Sequence, residues 1–174
     1  ITQGGVASRP GMAFPAILGR GLNRPMLNFG FSGNGRTEIE VAKFLAEIDG
    51  SLFVLDCMAN MGILPVTERT EAVVKLLREK HPKMPILLLE THPWASGPLT
   101  PNHDALRAKK SAELRKAYDN LTSAGVKNLH YRTGDDLIGT DGEGTVDGSH
   151  PSDLGMIRYA DALEPDLRKL LGEA

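Results

Sequence analysis

The 174-residue chain has one cysteine, Cys57, so no disulfide can form within it. That leaves the compartment open, because proteins without disulfides occur in all of them. Periplasmic, secreted and cytoplasmic locations are all compatible with it. No run of about 18 apolar residues is present, so no spanning helix is expected. Charge of either sign is nearly balanced: 20 Lys and Arg against 22 Asp and Glu leave a net −2. There is therefore no global electrostatic case for nucleic acid or an anionic membrane as partner. Neither His-x-x-x-His nor Cys-x-x-Cys occurs, which argues against a metal site. No internal repeat, low-complexity tract or signal peptide is visible. The chain opens at Ile1 rather than at a methionine, and a preceding segment is expected in the native polypeptide.

What is present suits a globular domain. Hydrophobic residues make up 41% and charged residues 24%, and the length allows one domain with a substantial core. Residues 52–57 (LFVLDC) and 86–90 (ILLLE) are nearly continuous apolar runs, which suit buried parallel strands. Residues 26–30 (MLNFG) and 128–132 (NLHYR) read as shorter strands. Helical patterns fall between them, over 12–21, 37–48, 67–80, 103–124 and 152–171. The 67–80 pattern opens with Thr67 as a candidate cap and an acidic first turn, and it ends in basic residues before His81-Pro82. Ser152-Asp153 is a cap-like start for the last helix. Strands alternating with helices predict a parallel sheet covered on both faces. The longest irregular stretches are about 91–102 and 133–151, and loops of that length in a compact domain are often functional.

In open α/β sheets ligands bind beyond the carboxyl ends of the strands, so the loops there are the places to search. FSGNGR (31–36) is neither a dinucleotide fingerprint nor a Walker A loop. It is a tight turn whose backbone N–H groups could hold an oxyanion; a plain turn is the simpler reading. CMANMG (57–62) places Asn60 at the mouth of the sheet. Its side-chain amide could donate to developing charge, or could cap its own loop. Cys57 closes an apolar strand and reads as a buried thiol. His81 reads as solvated and His130 as a packing residue. His92 and Trp94, in ETHPWAS, suit either a pocket wall or surface packing.

TVDGSHPSDLG (145–155) carries an acid and an imidazole three residues apart. If His150 is a general base, Asp147 accepts from its Nδ1–H and leaves Nε2 toward a nucleophile. The alternative is a turn aspartate beside a histidine at a helix start. Ser149, Ser32, Ser8 and Thr2 are the hydroxyls to weigh as partner, and none sits in a Gly-x-Ser-x-Gly elbow.

Taken together, these segments resemble the SGNH hydrolases, also called GDSL-type esterases and lipases. Four blocks mark that family. ITQGG matches the residues that follow the nucleophilic serine of the first block. NFGFSGNGR matches the second and puts Gly33 in an oxyanion role. DCMANM resembles a divergent third block, with Asn60 in the same role, although Met58 stands where the block has glycine and Met61 where it has aspartate. DGSHP matches the last block, with Asp147 as orienter and His150 as base. The strings SGNGRTEIE and EGTVDGSHPSDLG resemble a bacterial acylhydrolase subgroup that often carries an upstream β-sandwich domain.

The resemblance implies a three-layer α/β/α sandwich with a flavodoxin-like parallel sheet, spanning residues 1–174 as the C-terminal part of a longer chain. Its first strand and its nucleophilic serine would lie just before Ile1. It implies hydrolysis of small carboxylic esters through an acyl-serine, with acetyl or short acyl groups on carbohydrate as candidate substrates. It implies no metal and no organic cofactor. Trp94, His92 and Met58 are the candidate pocket residues. Two rivals remain: a non-catalytic ligand-binding module with an esterase-like cleft, and a nucleotide-binding flavodoxin-like domain, against which the lack of a basic phosphate loop argues.

Overall fold

A run of Val, Leu and Ile without alternation can be satisfied only where both faces are covered. In the computed structural model, which describes residues 1–173, that is the fate of 86–89: every residue of the strand is buried. The strands are β1 (Phe53–Leu55), β2 (Ile86–Leu89) and β3 (Leu129–Arg132). They form a parallel sheet in the order β1-β2-β3. Phe53 faces Ile86, and Ile86 faces Leu129. The helices are α1 (Phe14–Gly21), α2 (Ile39–Leu45), α3 (Pro65–Lys80), α4 (Pro101–Ser123) and α5 (Asp153–Leu170). The order is that of an α/β protein.

The chain forms two compact units. One holds 35–91 and 105–133, and so contains the whole sheet, α2, α3 and most of α4. Its core is an apolar cluster around Val73, Val74, Leu77, Ile86, Leu88, Leu114 and Leu121. On α3 the buried positions are Val66, Thr70, Val73, Val74 and Leu77, the 3.6-residue spacing of one helical face. Each such side chain taken fully out of water contributes about 1.5–3 kcal/mol. Pro65 opens α3, where a missing N–H costs nothing. Thr67 is therefore not the cap expected of it. Its hydroxyl lies inside the first turn and donates to the Glu113 carbonyl on α4 at 2.9 Å. At the other end, Arg78 Nη1 donates to the carbonyls of His81 (2.8 Å) and Met84 (2.6 Å), tying the helix end to the loop that follows it. His81 is not simply solvated: its Nε2 lies 2.9 Å from the Ala46 carbonyl and its ring packs on Phe53.

The other unit holds 1–34, 92–104 and the chain from Gly134 onward. Here α1 packs on α5, with Phe14 stacked on Tyr159 at 4.6 Å between ring centres. Met156, Tyr159, Ala160, Leu163 and Leu167 form the buried stripe of α5. The long 133–151 segment has no regular element of its own. Buried Leu137 and Ile138 anchor it, and Arg158 of α5 clamps it through the Ile138 carbonyl and both oxygens of Asp141.

Residues 26–30, expected as a strand, are not one: the segment joins no ladder. A strand exists only where a neighbour supplies its hydrogen bonds. Here Asn28 takes the local bonds instead. Its Nδ2 donates to the Thr2 carbonyl (2.7 Å), and its Oδ1 accepts from Gly30 N–H (2.9 Å). Leu27 and Phe29 are left exposed.

Candidate active site

The Asp147–His150 pair sits at the tip of a pinched loop. Thr145 and Pro151 form an isolated antiparallel bridge, and Val146 N–H donates to the His150 carbonyl at 2.9 Å. Ser152 N–H then donates to the Gly144 carbonyl, and the Ser152 hydroxyl caps α5 by accepting from Gly155 N–H. Gly155 is required at that place: a Cβ there would stand 1.9 Å from the Gly144 carbonyl oxygen. Gly148, at φ +85°, makes the turn that brings residue 150 back to residue 147.

Within this loop Asp147 has divided duties. Oδ1 accepts from the backbone N–H groups of Ser149 (2.9 Å) and His150 (2.7 Å). Oδ2 lies 2.7 Å from His150 Nδ1. The His150 backbone N–H, followed by its ring, holds the carboxyl down to about 2, well below its ordinary 3.8. The group is thus an ionised acceptor at neutral pH, so Nδ1 must carry the hydrogen between them. In the neutral ring Nε2 is then the basic nitrogen. Both side chains are about half exposed, so the pair is not sequestered in the core. This geometry can abstract and return one proton.

The loop carrying the pair is joined to the 92–104 segment: Ser96 N–H faces the Gly148 carbonyl at 3.4 Å, and Ser96 packs on Gly148 itself. Trp94 lies in that segment, half-buried, with its ring edge-on to His103 at 4.4 Å. His92 is fully buried, Nδ1 at 2.8 Å from the Pro93 carbonyl and ring edge-on to Tyr159. Gly33 lies in an exposed 3-10 turn, Ser32–Asn34, entered with Ser32 at φ +55°. Ser8, one of the candidate hydroxyls, is committed elsewhere: it donates to Asp153 at the start of α5 through both its N–H and its Oγ.

In the sheet-bearing unit, Asn60 closes a 3-10 turn, Met58–Asn60, just beyond β1. Its backbone N–H donates to the Cys57 carbonyl (3.2 Å) and its Nδ2 to the Gly35 carbonyl (3.1 Å). Met58 is buried in the core cluster of this unit rather than open to solvent. Burial pushes the Cys57 thiol up, against a hydrogen bond with Thr37, in keeping with an inert thiol.

Lys110 was not singled out in the sequence, yet it is nearly buried and donates to the Ala59 carbonyl in the middle of the Asn60 turn. A signal for it exists. Position 110 extends the apolar stripe of Leu114, Ala117 and Leu121 by one turn. Among the described residues, no group of three or more His, Cys, Asp or Glu side chains could hold a metal ion. Among the same residues no helix is long and apolar enough to cross a membrane.

An α/β chain with an acid–imidazole pair on the loop before its last helix belongs to a defined class. Residues 1–168 match the GDSL-like lipase/acylhydrolase family, and the chain is a member of it. A protein from Bacteroides ovatus described as a GDSL-like lipase is 41% identical, with a TM-score of 0.95 over 99% of this chain and 51% of its own. The salicylyl-acyltransferase SsfX3 of a tetracycline biosynthetic pathway is 19% identical, with a TM-score of 0.83 over 98% of this chain and 52% of its own. A carbohydrate acetylesterase family member from Sinorhizobium meliloti is 19% identical, with a TM-score of 0.67 over 93% of this chain and 88% of its own. The chain thus spans about half the length of the first two. The comparison with curated proteins gives no match.

Proposed function

We propose that this domain is a serine esterase that cleaves small carboxylic esters through an acyl-enzyme. The observation that carries the reading is the Asp147–His150 arrangement, in which an ionised carboxylate fixes the Nδ1–H tautomer at 2.7 Å. Family membership supports the same chemistry.

The nucleophile in this reading is a serine directly preceding Ile1 in the native polypeptide, by the order of the family's blocks. His150 Nε2 takes the serine proton as Oγ adds to the ester carbonyl carbon. The resulting oxyanion accepts hydrogen bonds from Gly33 N–H, the Asn60 amide and the serine's own N–H. Each such donor is typically worth about 3 kcal/mol of barrier. His150 then gives the proton to the departing alkoxide as the C–O bond breaks. Water enters by the same path: His150 takes its proton, hydroxide adds to the acyl carbon, and the serine leaves with the proton returned to it. Asp147 stays ionised throughout and stabilises the imidazolium.

Acetyl or short acyl groups on carbohydrate are the substrate class we propose. Support comes from the likeness to the Sinorhizobium carbohydrate acetylesterase. Trp94 is the residue we assign to sugar stacking or to the acyl pocket, since an indole offers a flat apolar face. His92 and Met58, both buried, are not carried into that assignment.

The test is the intact mass of the full native polypeptide before and after a fluorophosphonate probe, with the adduct mapped. An adduct on a serine preceding Ile1, lost in His150→Ala, is the expected result. No adduct sinks the esterase reading and leaves a ligand-binding module.

A further inference from the structure

A lysine is almost never buried without a partner, because taking an ammonium out of water is costly unless its donors are used. Lys110 is 9% exposed on α4. It occupies the helical stripe that continues as Leu114, Ala117 and Leu121, all nearly or fully buried. An apolar side chain would suit that place by packing alone. The ammonium instead reaches the turn after β1 and donates to the Ala59 carbonyl at 2.9 Å.

That carbonyl shares one peptide group with the N–H of Asn60. The N–H in turn donates to the Cys57 carbonyl at 3.2 Å, closing the 3-10 turn. A charge-assisted bond to the oxygen of a peptide polarises it and strengthens the bond made by its N–H. The neighbouring residue on α4 acts on the same turn: Ser111 Oγ lies 3.9 Å from Met58 Sδ. The Asn60 side chain is oriented separately, through Nδ2 to the Gly35 carbonyl at 3.1 Å. So the Asn60 backbone is set from α4 and its amide from residue 35.

We infer that Lys110 is a positioning residue for the Asn60 turn: through the Ala59 carbonyl it holds the backbone from which the Asn60 side chain reaches the oxyanion. The inference rests on the esterase reading and on Asn60 as an oxyanion donor. It adds that the donor's placement depends on a buried cation on α4, outside the loop that carries the donor. The divergent Met58 and Met61 of that loop are both buried, so the turn is packed as well as tethered.

The test is a double-mutant cycle on the full native polypeptide with p-nitrophenyl acetate. Asn60→Ala is expected to lower kcat by roughly 10²–10³-fold, as loss of one oxyanion donor does. Lys110→Met, close in shape and lacking the donor, is expected to lower kcat roughly 10- to 100-fold with KM nearly unchanged, the size of a misplacement effect. In the Asn60→Ala background Lys110→Met should then cost little more, because both changes remove one function. If the two losses multiply, or if Lys110→Met raises KM and leaves kcat alone, Lys110 does not act through Asn60 and the inference is overturned while the esterase reading stands. If Asn60→Ala leaves kcat unchanged, the oxyanion role itself fails and the inference with it. Should Lys110→Met not give a folded circular dichroism spectrum, Lys110→Leu, which also lacks the donor, goes through the same cycle with the same outcomes.

Discussion

One oxygen of Asp147 holds the His150 imidazole at 2.7 Å, while the other accepts the backbone N–H of that same histidine, also at 2.7 Å. The carboxylate therefore fixes both the ring's tautomer and the turn that delivers the ring. Three residues of separation suffice for this because Gly148 takes a positive φ between them.

Asp147→Asn separates the two duties. The amide oxygen still accepts the backbone N–H groups, so the turn survives, but an NH2 facing Nδ1 favours the wrong tautomer. In serine proteases the same change lowers kcat about 10⁴-fold. A comparable loss of kcat with p-nitrophenyl acetate, in a variant that still gives a folded circular dichroism spectrum, is the expected outcome. A variant with near-normal kcat would remove Asp147 from the mechanism.

Asp141 gives a pH-dependent signature. Arg158 takes both its oxygens at 2.7 Å and lowers its carboxyl from 3.8 to about 2. A carboxyl depressed in the folded state contributes stability that is present above about 3.8 and is lost as pH falls through about 2. Asp141→Asn should therefore be less stable than wild type at pH 7. The gap should narrow below pH 4 and close near pH 2. The pair is exposed to solvent, so the gap should also shrink in high salt. Urea unfolding across that range checks it, and a gap independent of pH contradicts it.

Gly155→Ala should be costly despite the higher helix propensity of alanine. The new methyl would meet the Gly144 carbonyl oxygen, forcing the loop and the first turn of α5 apart. Overpacking of this kind costs about 1–3 kcal/mol, or roughly 2–10 °C in Tm for a chain of this size. Because the displaced segment carries His150, kcat should fall as well. Differential scanning calorimetry and the esterase assay read the two effects. An unchanged Tm would show that the contact relaxes freely.

Cys57 should resist alkylation. Burial raises its thiol pKa, so the native protein at pH 7 should react with iodoacetamide far more slowly than the same protein in guanidinium chloride. Mass spectrometry of the Cys57 peptide checks this. Fast native labelling would mean that the turn after β1 opens.

How much was legible in the residues depended on the range of the interactions involved. The acidic first turn and basic end of the 67–80 pattern marked α3, and the unbroken ILLL marked β2, because both signals are local to the chain. Ser152 capped α5 as read, since a cap acts over three residues. The Asp-x-x-His pair closed on itself for the same reason: its partners are neighbours in the chain.

The differences all involve partners distant in sequence. Residues 26–30 have strand composition but no ladder, and Asn28 turns them toward Thr2. Thr67 looked like a cap, but Pro65 starts the helix and the hydroxyl meets residue 113. His81 found Ala46 and Phe53. Lys110, within the 103–124 helical pattern and not singled out there, faces inward to Ala59, 51 residues away. Composition and spacing determined the α/β class and the acid–imidazole pair, since apolar patterning is written along the chain and the pair closes within four residues. Tertiary structure decided which polar groups are buried and what they hold, because a buried polar group is set by the partner that satisfies it, and that partner is chosen by the fold.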